Sequence, residues 1–146
     1  AELLKKDWKV SADVWSITSY NELAREAVDC ERWNMLNPGK KSRVPYITQQ
    51  LKDCEGPVIS SSDYIRTVSN QVRQYVPATY TVLGTDGFGR SDTRKNLRRH
   101  FEVNSHYVTV AALKTLADEG TIPASKVSDA IKKYGIDTKK PNPITA

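Results

Sequence analysis

The sequence predicts an α/β fold in which short strands alternate with helices and the C-terminal third of the chain is helical. Three stretches rich in Val, Ile, Thr or aromatic residues are typical of short buried strands, at residues 12–18, 56–62 and 79–86. Segments with apolar residues at helical spacing separate them. Because strands that alternate with helices usually form a parallel sheet, we expect a single α/β domain that covers residues 1–146.

A capping box begins the first helix. The Ser19 hydroxyl can accept a hydrogen bond from the amide of Glu22, whose side chain can reach back to the start of the helix. Ala27 and Cys30 then share one face of a helix that extends to about Met35. The segment "VPYITQQL" adds a short helix that opens at a proline.

Capping residues, prolines and glycines delimit four further helices. The first is predicted to start at Ser62 or Asp63 and to end before Pro77, and the second to run from Asp92 to Phe101. The third should start at Asn104 or Ser105 and end at Glu119, and the fourth should start at Pro123 and end before Gly135. The first seven residues are typical of the end of a helix without a cap, so we expect the chain to be a fragment of a longer protein. The tail "DTKKPNPITA" is expected to be extended or loose.

The composition is that of a globular protein. The chain has 22 basic and 17 acidic residues, a net charge of +5, and 38% hydrophobic residues. No apolar run is long enough to span a membrane, and the first residues lack the layout of a signal peptide. Cys30 and Cys54 form no CxxC pair, and the two histidines have no nearby cysteine. We therefore expect neither a disulfide framework nor a zinc site, and we favour a cytosolic protein.

The stretch "VLGTDGFGRSDTRKNLRRH", residues 82–100, combines three glycines with a cluster of basic residues. It follows a predicted strand and leads into a predicted helix, the place where phosphates bind in many α/β proteins. Its GxxGxG spacing is neither the dinucleotide GxGxxG motif nor a P-loop. The loop therefore either contacts an anion or an acidic partner, or is a tight turn whose glycines permit close packing. The candidate contact residues are Asp86, Gly87, Gly89, Arg90, Asp92, Arg94 and Arg98.

Catalytic patterns are weak in this sequence. It has no GxSxG motif. Asp86, Asp92 and His100 could form an acid–base group, although Asp86 is explained as a turn former and Asp92 as a helix cap. The aromatic residues are not interleaved with the basic cluster, which disfavours nucleic acid binding. Three interpretations follow: a structural or assembly domain, an independent anion- or nucleic-acid-binding module that uses the basic helix 92–101, and a small enzyme at the three titratable residues.

Four motifs of the sequence are "DCERWNML", "RVPYI", "SSSDY" and "YVPATYTVLGTDGFGRSDTRKNLRRHFEV". Together they resemble the C-terminal region of the bacterial homodimeric pyruvate dehydrogenases, which depend on thiamine diphosphate. The resemblance runs from about Leu3 to Ala146 and so covers essentially the whole chain. It implies a transketolase-like C-terminal domain, a three-layer α/β/α sheet that here lacks an upstream strand between "DVWSI" and "PVISS".

The resemblance implies a structural and assembly domain without catalytic residues. In that family, other domains hold thiamine diphosphate and Mg²⁺, and the cofactor signature begins Gly-Asp-Gly. Thr85, Asp86 and Gly87 lack the first glycine, so we expect no cofactor, metal or catalytic residue in this chain, which alone should be inactive.

The implied partners are the other domains of the same chain, a second copy in a homodimer, and the acetyltransferase component that receives the acetyl group on its lipoyl groups. Nucleic acid and membranes are not expected partners. Arg90, Arg94, Arg98 and Arg99 are expected to meet acidic groups of neighbouring domains, and Arg94 and Arg98 lie one helical turn apart. The implied location is the bacterial cytoplasm, in pyruvate metabolism.

Overall fold

A computed structural model describes all 146 residues. The chain forms six α-helices, two strands, a π-helical segment and a 3-10 turn. In chain order these are the π-helix Leu4–Trp8, α1 Tyr20–Leu36, α2 Tyr46–Leu51, β1 Val58–Ser61, α3 Arg66–Asn70, the 3-10 turn Arg73–Tyr75, β2 Tyr80–Leu83, α4 Arg94–His100, α5 Ser105–Asp118 and α6 Ala124–Lys133.

The two strands pair in parallel and form the only sheet. Their register runs from Val58 opposite Tyr80 to Ser61 opposite Leu83. The mixed α/β class predicted from the sequence is confirmed, with a sheet of two strands instead of three. Since both strands run the same way, the loops that follow β1 and β2 leave the same end of the sheet.

Helices cover both faces of the sheet with separate apolar clusters. One cluster joins α1 and α2 to Tyr80 and Val82 of β2. The other joins the N-terminal segment to α5 and α6, and Ile59 of β1 packs against it from the opposite face of the sheet. Alternate residues of a strand point to opposite faces, which is why neighbouring residues of the sheet enter different clusters. Leu113 of α5 is fully buried in the second cluster.

Two helix starts match the local capping chemistry of the sequence. The Ser19 hydroxyl accepts a hydrogen bond from the Glu22 amide at 3.2 Å. The Asn104 side-chain oxygen accepts from the amides of His106 and Tyr107, each at 3.1 Å. The Asn104 cap and the Ser19 half of the capping box are confirmed, because a cap needs only groups that lie within one turn of each other. The Glu22 side chain accepts from Arg25 at 2.6 Å, so the second half of the predicted box does not form.

The strand predicted at residues 12–18 is wrong. This segment is irregular, and Val14, Trp15 and Ile17 are exposed, Val14 by 81%. A strand requires a neighbour to share its backbone hydrogen bonds, and none pairs with this segment. Apolar composition alone therefore misled the prediction.

The starts of two helices also differ from the prediction. Neither Ser62 nor Asp63 caps α3; the Ser62 hydroxyl accepts from the Tyr64 amide in a local turn, and Ile65 occupies the N-cap position. The helix is only five residues long. Asp92 does not occupy the N-cap of α4, because Thr93 does.

The two outer edges of the sheet differ in the hydrogen bonding of their backbone groups. The backbone groups of Ile59 and Ser61 face away from β2 and make no backbone hydrogen bond on that side of β1. On the outer side of β2, the Arg73 guanidinium donates to the carbonyl of Tyr80 at 2.8 Å. The edge of β1 is therefore open, whereas the edge of β2 is partly closed by a charged side chain.

The N-terminal segment is tied to α6 by a polar network. The Trp8 indole donates to the Tyr134 hydroxyl at 2.8 Å, and that hydroxyl donates to Asp7 at 3.0 Å. Lys133 forms an ion pair with the same carboxylate at 2.8 Å. The hydrogen bond from Lys133, followed by that from Tyr134, holds the pKa of Asp7 below its ordinary value of 3.8, against the opposing effect of burial.

The replacement Asp7→Asn is expected to lower stability in a pH-dependent way. The pKa of Asp7 is lower in the folded chain, so its stabilising effect is present above pH 3.8 and is lost as the pH falls through the folded value. The difference between wild type and Asp7→Asn in urea unfolding should therefore be larger at about pH 7 than at about pH 2.5. Asp53→Asn is the control, because the Asp53 side chain is 86% exposed. A difference that does not change with pH would contradict the prediction.

Candidate functional site

The glycine loop, residues 84–92, leaves the carboxyl end of β2 beside the segment that follows β1. The Thr85 amide donates to the carbonyl of Tyr64 at 2.9 Å, and the Thr85 hydroxyl donates to the carbonyl of Asp63 at 2.8 Å. These bonds hold the two loops side by side. Because carboxyl ends of parallel strands are common ligand sites, this end of the sheet is the candidate functional site.

Asp86 lies at the centre of this site and binds Arg66. Its carboxylate accepts hydrogen bonds from the Arg66 backbone amide and from the Arg66 guanidinium, both at 3.0 Å. The Asp86 side chain is 24% exposed. Both hydrogen bonds end on the same oxygen, Oδ2, and the carboxylate thereby fixes the start of α3 against the glycine loop.

The glycines of the loop have different surroundings. A Cβ at Gly84 would lie 2.7 Å from the Tyr64 carbonyl oxygen and from the Arg66 amide nitrogen. A Cβ at Gly87, whose φ is +121°, would overlap the Pro143 carbonyl oxygen. A Cβ at Gly89 would meet no atom within 4 Å. Gly84 and Gly87 thus permit close packing of protein backbone, as the tight-turn interpretation expects.

The C-terminal tail packs against the glycine loop, so the expectation of an extended or loose tail is wrong. Pro143 is buried against Gly87. The Lys140 ammonium donates to the carbonyl of His100 at 2.5 Å and to the Glu102 carboxylate at 2.9 Å. A cleft of about 260 Å³ remains between the tail and the strand ends, lined in part by Arg66, Asp86, Glu102 and Lys140. Each of these four charged groups already has a partner of opposite sign within the chain.

The basic helix α4 is anchored by one ion pair. The Arg98 guanidinium donates to both oxygens of Asp63, the shortest distance being 3.0 Å. Arg98 therefore has a partner inside the chain. Arg90 and Arg94 are exposed and form no ion pair.

Asp92 stabilises the turn before α4. Its carboxylate accepts from the Thr93 amide at 2.6 Å and from the Asn96 side-chain amide at 2.9 Å. The hydrogen bond from Asn96, followed by that from Thr93, lowers the pKa of Asp92. Its role is close to the predicted cap, although it acts one residue before the N-cap.

His100 ends α4 with a buried ring nitrogen. Its Nε2 atom has no hydrogen-bond partner. Burial lowers the pKa of His100, and the nearby positive charges of Arg90 and Lys140 lower it further. The cleft that Asp86 lines includes neither His100 nor Asp92, so the structure does not unite the three residues of the small-enzyme interpretation there.

The chain contains no cluster of metal-binding side chains, and its two cysteines are free. No three His, Cys, Asp or Glu side chains are arranged to hold a metal ion. Cys30 is a buried free thiol that donates to Glu26 at 3.2 Å, and burial raises its pKa. Among the helices, none combines the length and apolarity needed to cross a bilayer.

Comparison with known families identifies the fold. The family model described as a transketolase-like TK C-terminal domain matches residues 1–104. The chain belongs to this family. The matched region contains the sheet, the glycine loop and α4, whereas α5 and α6 follow it.

Curated relatives of this transketolase-like C-terminal domain are pyruvate dehydrogenase E1 components. The chain is 57% identical to that of Escherichia coli K12 over 144 residues and 55% identical to that of Cupriavidus necator over 145 residues. It is 51% identical to that of Haemophilus influenzae over 147 residues. These alignments cover 98–100% of the chain but only 16% of each relative. The sequence resemblance to the C-terminal region of this enzyme is confirmed.

Within this transketolase-like C-terminal domain, the structure separates the predicted candidate residues into two groups. Asp86, Gly87, Asp92 and Arg98 contact other parts of the chain. Gly89, Arg90 and Arg94 lie exposed on the surface without such contacts. The second group could therefore be contacted by another molecule without breaking a hydrogen bond or ion pair within the chain.

Sequence reasoning missed the internal partners of the loop. Asp86 binds Arg66, Arg98 binds Asp63, and Gly87 packs against Pro143. A glycine in a turn indicates a close approach of another backbone, but it does not identify the segment that approaches. Pro143 is distant in sequence, so only the folded chain reveals the contact.

Proposed function

We propose that residues 1–146 are the non-catalytic structural and assembly domain of a thiamine-diphosphate-dependent pyruvate dehydrogenase. The whole enzyme decarboxylates pyruvate and passes the acetyl group to lipoyl groups. The observation that carries the proposal is 51–57% identity to pyruvate dehydrogenase E1 components over nearly the full chain. The internal pairing of the charged groups in the candidate site supports a structural role for the loop.

Thiamine diphosphate and Mg²⁺ are held by parts of the enzyme outside this chain. The residues of the glycine loop do not fit the cofactor, because the Asp86 carboxylate binds Arg66 and Gly87 packs on Pro143. Every charged group in the cleft is paired with a group of opposite charge. A diphosphate or a divalent ion would have to break one of these pairs, which would cost free energy. The catalytic steps therefore use side chains from the rest of the enzyme.

The complete enzyme supplies the missing part of the sheet. Upstream residues form a strand that pairs with the open edge of β1, where Ile59 and Ser61 have unpaired backbone groups. Unpaired inner edges are costly, which favours such a strand. The widened sheet, with helices on both faces, is the three-layer α/β/α domain that the family resemblance implies.

The partners of this domain are the other domains of its own chain and a second copy of the enzyme. The homodimer works with the acetyltransferase component in the bacterial cytoplasm. Bacterial relatives that carry the E1 name support this assignment.

Deletion of residues 1–146 from the longer enzyme tests the assembly role. We expect the truncated protein to bind thiamine diphosphate and Mg²⁺ but to sediment as a monomer in analytical ultracentrifugation. Binding of the cofactor serves as the control that the remaining chain is folded. A truncated enzyme that sediments as a dimer like the full-length protein would refute an assembly role.

Point variants test the absence of catalysis in the same enzyme. Asp92→Asn and His100→Gln should leave kcat within about twofold of wild type, because neither side chain acts on substrate. A general acid or base contributes about 100-fold or more. A loss of that size in either variant, with the dimer intact, would favour the small-enzyme interpretation.

A further inference from the structure

Three large apolar side chains are exposed around the glycine loop. They are Tyr64, Ile65 and Phe88, with 69%, 50% and 76% of their surface accessible; we call them the loop patch. The hydrogen bond from the Thr85 amide to the Tyr64 carbonyl brings the two contributing loops together. Phe88 stands between two glycines that offer no side chain to cover it. Exposed aromatic residues grouped in this way are typical of interaction surfaces.

The surface around the loop patch carries positive charge that the chain does not neutralise. Asp63 is paired with Arg98, Asp86 with Arg66 and Glu102 with Lys140. Asp92 accepts hydrogen bonds only from the neutral amides of Thr93 and Asn96, so it is the one carboxylate here that keeps its charge. Four exposed cations remain without an ion pair: Arg90, Arg94, Lys95 and Arg99. An acidic partner would complement this surface, whereas a basic one would be repelled.

We infer that the loop patch and these four cations are the docking surface for an acidic segment of the same enzyme, located outside residues 1–146. Carboxylates of the segment pair with the cations, and its apolar side chains cover Phe88. The inference rests on the proposed function, in which this chain is one part of a longer enzyme. The chain spans 16% of the length of its relatives, so most of the polypeptide that could supply the segment lies outside it.

A polypeptide suits this surface better than a nucleic acid does. Ile65 is aliphatic and cannot stack on a base. The two aromatic members of the loop patch, Tyr64 and Phe88, lie on different loops, and Phe88 is the only aromatic residue within the stretch 84–99 that bears the cations. Surfaces that bind single strands use successive aromatic side chains as stacking platforms. An acidic peptide segment needs only an apolar surface to pack on and positive charges around it, and both are present here.

Zero-length cross-linking of the full-length enzyme tests the contact directly. Lys95 is the only lysine among the four cations, and a carbodiimide joins its amine to a carboxylate that touches it. We expect mass spectrometry to find Lys95 linked to an Asp or Glu outside residues 1–146 of the enzyme. Lys95→Arg keeps the charge and should lose the product, which serves as the control for its assignment. Arg94→Glu should reduce the yield by about tenfold, whereas Lys41→Glu, an exposed reversal on another part of the surface, should not.

Cysteine labelling tests the cover over the aromatic side chain. In the full-length enzyme, Phe88→Cys should react with a maleimide about tenfold more slowly than Lys41→Cys, because the docked segment shields position 88. The two rates should become equal in denaturant. Phe88 and Lys41 are both exposed in this chain, so neither replacement removes a buried contact.

The inference is overturned by any of three results. In the first, Lys95 forms no cross-link or links only to acidic residues within residues 1–146. In the second, Lys95 links only to a different protein. In the third, the cysteines at positions 88 and 41 react with the maleimide at equal rates. None of these three results contradicts the proposed function as long as deletion of residues 1–146 abolishes the dimer. Conversely, a dimer that persists after the deletion refutes the assembly role whatever the cross-links are.

Discussion

Gly87→Ala is expected to destabilise the chain by about 2–4 kcal/mol. The backbone at position 87 has a φ of +121°, a conformation that residues with a side chain rarely adopt. The added methyl group would also overlap the Pro143 carbonyl oxygen and lie 2.9 Å from its carbonyl carbon. Because both obstacles are backbone atoms and not flexible side-chain ends, the tail must move away from the loop. Urea denaturation monitored by circular dichroism measures the loss.

Gly89→Ala is the matched control for this prediction. It lies two residues away in the same loop, and its new methyl group would meet no atom within 4 Å. Its effect should stay within about 0.5 kcal/mol. If Gly87→Ala and Gly89→Ala unfolded at the same urea concentration, the contact between tail and loop would contribute nothing to stability.

Leu113→Ala is expected to cost about 2–5 kcal/mol. Leu113 has no exposed surface, and it packs between α6 and the N-terminal segment in the second apolar cluster. The replacement loses the transfer free energy of the removed atoms and leaves a cavity that the surrounding helices fill only in part. The midpoint of chemical denaturation should fall accordingly, with little change in the slope of the transition.

Leu36→Ala makes the same chemical change on the surface. Leu36 is the last residue of α1 and is 55% exposed, so its replacement should cost less than about 1 kcal/mol. Equal losses for the two variants would indicate that the second cluster is not the closely packed core that the structure describes.

The correct parts of the sequence prediction depend on short-range chemistry. The Ser19 and Asn104 caps and the opening of α6 at Pro123 depend on groups within one turn of the chain. Both strands that pair, β1 and β2, were also predicted, because each is a short run of β-forming residues bounded by Gly or Pro.

The incorrect parts depend on distant neighbours. Residues 12–18 have the composition of a strand, but whether they become one is decided by a pairing partner. The candidate site shows the same limit, since the sequence predicts contact roles for Asp86 and Gly87 but does not identify Arg66 and Pro143, which they contact within the chain. Composition and periodicity carry no information about which distant segment supplies a contact.

The packing of Pro143 on Gly87 also sets an order of events during synthesis. Residue 87 leaves the ribosome 56 residues before residue 143 does, so the glycine loop is made long before the segment that covers it. Since chains begin to fold from the N-terminal side as they emerge, the sheet and its neighbouring helices can form while the loop still lacks its cover. The loop therefore reaches its final packing in a late step, and a nascent chain arrested before residue 143 would expose it to proteases.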